Sequence, residues 1–128
     1  MNTSDFLFTY GTLMQRFGNP FASKLRKASV FHGNGYFPGL LYRVSWYPGA
    51  IYMAGTDQRV YGEIYRVTDS GLWKDLDAYE DVLENESESL YLRKIVMVTM
   101  EDGTSLDCWT YLYNQSVTGL EKMEGGRF

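Results

Sequence analysis

A chain of 128 residues has material for one hydrophobic core, since halving it would leave two cores of only marginal stability. With 45% hydrophobic and 22% charged residues the composition is that of an ordered globular domain, and the aromatic share of 16%, from eleven Tyr, seven Phe and three Trp, favours strands. A net charge of −4, with twelve Lys and Arg scattered along the chain, excludes nucleic acid as a partner bound by phosphate neutralisation.

The N-terminus from Met1 to Asp5 has neither the basic stretch nor the apolar run of a signal peptide, and the single cysteine, Cys108, can form no internal disulfide. No apolar run approaches the roughly 20 residues of a membrane-spanning helix. A soluble cytoplasmic protein is expected, as a monomer or homodimer. Three Asn-x-Ser triplets, at Asn2, Asn85 and Asn114, would matter only on a secretory route and are read as chance.

In chain order, Phe6 to Tyr10 is an apolar, aromatic run broken at Gly11, which predicts a buried strand ending in a tight turn. Leu13 to Phe17 can begin a short helix, and Phe21 to Lys27 a second. From Ser29 to Ala54, short apolar runs punctuated by Gly33-Asn34-Gly35, Pro38-Gly39 and Pro48-Gly49 read as hairpins. Val60 to Val67 alternates as a strand packed on both faces. Asp69 or Ser70 can cap a helix to about Tyr79, with Leu72, Trp73, Leu76 and Tyr79 on one side. An acidic loop from Asp81 to Ser89 follows. Leu90 to Met100 and Leu106 to Tyr113 are strands joined by the hairpin signal Glu101-Asp102-Gly103-Thr104, and the polar, Gly-rich tail from Asn114 is expected to fray. The pattern is that of a single α+β domain over residues 1–128 with its core at about 5–113, a mostly antiparallel β-barrel flanked by helices.

Glu80 stands out chemically. Drawn at 100° per residue it lies roughly 50° from the centre of the apolar stripe, whereas Asp75 and Asp77 fall farther away and should see more water. A carboxylate on an apolar side should have its pKa raised and so suit proton transfer near neutral pH. Periodicity leaves open the alternative that Glu80 only ends the helix and bends into solvent. Tyr10-Gly11-Thr12-Leu13 is a strand-to-helix junction whose amides can face an anion or a carbonyl oxygen, though such a turn is often plain architecture.

Tyr10-Gly11-Thr12-Leu13, then Val60-Tyr61-Gly62-Glu63-Ile64-Tyr65, then Leu76-Asp77-Ala78-Tyr79-Glu80, then Tyr91-Leu92-Arg93 together resemble, in order and spacing, the gamma-glutamylcyclotransferase-like proteins. The resemblance runs from about Phe6 to Tyr113 and implies a small β-barrel with flanking helices. It implies that Glu80 is the catalytic acid/base, that Tyr10, Gly11, Thr12 and Leu13 hold the glutamyl group, and that a gamma-glutamyl compound closes to 5-oxoproline without cofactor or metal. Tyr91 is a further candidate substrate contact. Arg93, on the same strand face, can reach the site or form a surface ion pair, and Glu63 can orient a neighbour or serve structure alone. The chain has Asp81 where many relatives have Gly, so the rim departs from the family pattern.

Competing readings are weaker. Cys108 with His32 could suggest a thiol hydrolase, yet one strand cysteine is usually a small core residue, and one histidine makes no zinc cluster. The stripe Trp109 to Tyr113 could stack a base or sugar but suits one wall of a barrel. The alternative that remains is a non-catalytic small-molecule binding module on the same fold.

Overall fold

The computed structural model describes residues 4–14, 18–80 and 86–128. Its strands are β1 (Phe6–Thr9), β2 (Ser29–Arg43), β3 (Pro48–Tyr52), β4 (Arg59–Val67), β5 (Tyr91–Met100), β6 (Ser105–Tyr113) and β7 (Glu121–Lys122). Its helices are α1 (Pro20–Lys27) and α2 (Leu72–Tyr79), with a 3-10 turn at Glu86–Glu88.

Hydrogen-bonded neighbours run β2-β4-β1-β6-β5, and β5 returns to β2 through Gly35↔Met100 and Tyr36↔Thr99, which closes a five-stranded barrel. Every pairing in the ring is antiparallel except β1 with β6. Strands β3 and β7 pair with β2 outside the ring. The α+β barrel expected from the sequence is therefore the observed fold.

Alternation divides the apolar residues between two cores. Phe8, Phe37, Ile64, Val98 and Cys108 fill the barrel, while Leu7, Leu25, Tyr65, Leu76 and Tyr111 pack between its wall and the helices. Helix α1 starts where Asn19 accepts the Ala22 amide at 2.8 Å and Pro20 presets the first turn, and it buries Ala22 and Leu25. Helix α2 buries Leu72 and Leu76 as the stripe requires. Its start differs from expectation. Neither Asp69 nor Ser70 caps it; the N-cap is Gly71, and the Asp69 carboxylate takes the Gly71 amide at 3.0 Å in the turn before.

Two further expectations are corrected. The segment read as several hairpins contains one, because β2 runs unbroken through both Gly33-Asn34-Gly35 and Pro38-Gly39. Those glycines answer to close approach: a Cβ at Gly35 would lie 2.7 Å from the Thr99 carbonyl oxygen, and at Gly39 2.2 Å from that of Ile51. A bulge between Phe31 and Gly33 absorbs the register shift. The tail does not fray. Glu121–Lys122 pairs with β2, Met123 donates to the Leu41 carbonyl at 2.7 Å, the Gly126 carbonyl accepts from Tyr61 at 2.9 Å, and Met123 and Phe128 pack on the barrel core. Of the short helix expected over 13–17, Leu13 and Met14 form a turn closed by Met14 N–H to Gly11 O, and the rest lies outside the described residues, as does most of the acidic loop.

Candidate active site

A cavity of about 170 Å³ opens where the barrel meets α2. Strand β1 and the turn after it supply Phe8, Thr9, Tyr10, Gly11, Thr12 and Leu13; the β2–β3 turn supplies Trp46, Tyr47 and Pro48; α2 ends there with Tyr79 and Glu80. Leu90, Tyr91 and Tyr111 form the opposite wall. The six residues expected to act on or hold the substrate, Tyr10, Gly11, Thr12, Leu13, Glu80 and Tyr91, thus line one space, whereas Arg93 and Glu63 do not.

The turn after β1 is held from several sides. Gly11 comes so close to the β2–β3 turn that a Cβ there would lie 3.0 Å from Pro48 Cγ. The Thr12 carbonyl accepts from Asn19 Nδ2 at 2.7 Å, so the residue that caps α1 also fixes the turn. The Thr12 hydroxyl pairs with the Tyr79 hydroxyl at 2.6 Å, which ties the turn to the last residue of α2. Among the described residues, the amides of Gly11, Thr12 and Leu13 take part in no turn or strand hydrogen bond. They are the donor set available to a carbonyl oxygen or carboxylate in the cavity.

Glu80 caps the C-terminus of α2, its amide bonded to the Leu76 carbonyl at 3.0 Å, and its side chain is half-buried. Its negative charge reaches the tyrosines of the cavity. Burial is the main cause that raises the phenols of Tyr10, Tyr79, Tyr91 and Tyr111, and the Glu80 carboxylate adds to the rise in each. These phenols stay neutral across the physiological range.

Tyr10 and Tyr91 contribute rings and not free hydroxyls. Tyr10 donates to the Tyr111 carbonyl at 2.5 Å and accepts the Ala50 amide at 3.0 Å, while Tyr91 donates to the Pro48 carbonyl at 2.5 Å. Thr9 is different: its hydroxyl is buried and has no hydrogen-bond partner among the described residues.

Helical periodicity misplaced Asp77. It is half-buried, bonded to Arg93 Nε at 2.9 Å and Nη2 at 3.3 Å, and it accepts the Tyr111 hydroxyl at 2.6 Å. The Arg93 guanidinium lies between Trp73 and Trp109, 4.8 and 4.7 Å from their ring centres. Arg93 is therefore neither a cavity residue nor a loose surface pair; it fastens α2 to β5 and β6. Glu63 accepts the Tyr65 hydroxyl at 2.9 Å, away from the cavity. Cys108 is buried in the barrel with its thiol pushed up to about 12 by burial, and exposed His32 rests on Phe6. A thiol–imidazole pair is excluded. The Trp109 to Tyr113 stripe turns Trp109, Tyr111 and Tyr113 towards the helices and the cavity wall, as a packing role requires.

The sequence reading missed Trp46, Tyr47, Tyr79 and Tyr111 at the cavity. Tyr79 was discoverable as the neighbour of Glu80. The β2–β3 turn gave only the signal Pro48-Gly49, which punctuates a chain without saying what it faces.

The family model described as gamma-glutamyl cyclotransferase, AIG2-like, matches residues 7–128. The chain is 29% identical over 121 residues to the gamma-glutamylcyclotransferase family protein YtfP of Escherichia coli K12, covering 94% of this chain and 92% of that one. The solution structure of ytfP from Escherichia coli superposes with a TM-score of 0.68 at 27% identity, over 96% of this chain and 95% of the other. The crystal structure of an AIG2-like protein from Mus musculus gives 0.70 at 27%, over 96% and 88%. With a match that starts inside β1 and takes in every later strand and both helices, the chain belongs to the gamma-glutamyl cyclotransferase, AIG2-like family.

Proposed function

We propose that the cavity cyclises a gamma-glutamyl compound to 5-oxoproline and releases the amine or amino acid bound at the γ-carbonyl, with Glu80 as general acid/base. The observation that carries this reading is the half-buried Glu80 in one cavity with Gly11, Thr12 and Leu13, whose amides take part in no turn or strand hydrogen bond among the described residues.

The substrate's α-nitrogen enters as an ammonium and cannot attack until it gives up a proton, which Glu80 accepts. The freed amine attacks the γ-carbonyl carbon; an N–C bond forms and the carbonyl electrons move onto oxygen. The turn amides of residues 11–13 stabilise that oxyanion, a role whose loss elsewhere costs about 3 kcal/mol per donor. As the intermediate collapses, the bond to the departing nitrogen breaks and Glu80 returns a proton to it. The ring nitrogen sheds its second proton to solvent, and the released amine takes up another from water. The nucleophile is the substrate's own amine, so the step needs no cofactor. The aromatic walls hold the glutamyl chain folded for attack, which turns flexibility into effective concentration.

The test is incubation of purified protein with gamma-glutamyl dipeptides, gamma-glutamyl-lysine and glutathione, with 5-oxoproline followed by mass spectrometry. Enzyme-dependent 5-oxoproline supports the reading. Its absence from every member, in a protein that unfolds cooperatively, overturns it.

A further inference from the structure

The rim of the cavity carries Trp46, a residue that folding alone does not account for. Its side chain stands 69% exposed at the tip of the β2–β3 turn, yet it lines the same cavity as Glu80. Leaving so large an apolar surface in water forgoes the gain that burial would bring. The position is nevertheless held. The amides of Val44 and Ser45 both donate to the Tyr47 carbonyl, at 3.1 and 3.2 Å, and the Trp46 and Tyr47 rings meet edge to face at 5.0 Å. From there the rings continue inward, Tyr47 to buried Tyr91 at 6.5 Å. An aromatic wall thus leads from the cavity out to its mouth.

The cavity volume of about 170 Å³ decides what meets that wall. A space of this order holds a group about the size of benzene. The glutamyl part of a substrate fills it, and whatever the γ-carbonyl carries must project past the rim. Resting on the function proposed above, we infer that Trp46 is a leaving-group platform, and that the preferred substrates are gamma-glutamyl compounds whose departing amine or amino acid bears an aromatic ring. The ring stacks on Trp46 and Tyr47 while the scissile bond stays beside Glu80.

The experiment compares kcat/KM for gamma-glutamyl-phenylalanine and gamma-glutamyl-alanine in wild type, Trp46→Ala and Trp46→Phe. The wild type is expected to favour the phenylalanine compound by about tenfold, the size of one good aromatic contact. Trp46→Ala is expected to bring the ratio to within about twofold, and Trp46→Phe to keep most of it. A wild type without the preference, or a ratio unchanged in Trp46→Ala, overturns the inference while leaving the cyclisation itself standing. If neither compound yields 5-oxoproline while another member of the gamma-glutamyl panel does, the platform is overturned and the cyclisation stands; if no member of the panel does, the cyclisation reading fails and the platform falls with it.

Discussion

At the scale of single residues, the site depends on side chains that never enter it. Asp77 satisfies Arg93 through two hydrogen bonds and the Tyr111 hydroxyl through a third, so one carboxylate anchors α2 to two strands beside the cavity. Replacing it with Asn leaves the guanidinium half-buried without a counter-charge. Asp77→Asn is expected to lower unfolding free energy by about 1–3 kcal/mol, measured by urea denaturation, whereas Asp75→Asn, whose pair with Lys24 is half exposed at 3.7 Å, should stay within about 0.5 kcal/mol. The contrast explains a failure of sequence reading: the helical wheel ranks both acids as remote from the apolar stripe, and only the approach of β5 and β6 separates them. Glu80 was legible as a residue near that stripe, but its company of Tyr10, Tyr91 and Tyr111 was not, because they come from three distant segments.

At the scale of elements, the chain declares its strands more clearly than its turns. Alternation marks β4, β5 and β6, and Gly103 with φ of +88° closes the hairpin where Asp102-Gly103 was read. In β2 the glycines that looked like turns are contact points between backbones, a distinction that depends on neighbours brought in from β3 and β5. The tail shows the same effect. Gly126 has a φ of +68°, and a Cβ on it would lie 1.7 Å from the Arg59 carbonyl oxygen, so the residue allows the C-terminus to lie against β4. Gly126→Ala is expected to cost on the order of 2 kcal/mol and to expose the last residues to carboxypeptidase. Gly125→Ala, at φ of +84° with open space around its Cβ position, carries only the backbone strain and is expected to cost about 1 kcal/mol and keep the tail docked.

At the scale of the whole molecule, closure of the barrel places tyrosines in the seam between two cores, and that has a consequence at high pH. Burial is the largest cause holding the phenols of Tyr10, Tyr91 and Tyr111 above the ordinary value of 10.0. Above that pH the unfolded chain releases protons that the native state retains, so unfolding free energy falls as pH rises. The stability these groups contribute is full below about pH 10 and is lost progressively above it. Denaturant titrations from pH 8 upwards should therefore show a plateau and then a decline, with the phenolate absorbance of these groups appearing together with unfolding. A barrel was expected from the run of antiparallel strands and from the family resemblance, but which strands close it, β5 returning to β2, was not legible, since pairs 63 and 65 residues apart leave no trace in periodicity. The barrel end that closure creates is where β1's turn and the end of α2 meet, and the proposed catalytic role belongs to the Glu80 carboxylate held there. Its most direct test is 5-oxoproline formation by Glu80→Gln beside wild type, with both melting curves recorded. The expected result is a fall in kcat of about a hundredfold to ten-thousandfold at unchanged cooperative unfolding; a Glu80→Gln protein that turns over at the wild-type rate would contradict the assignment.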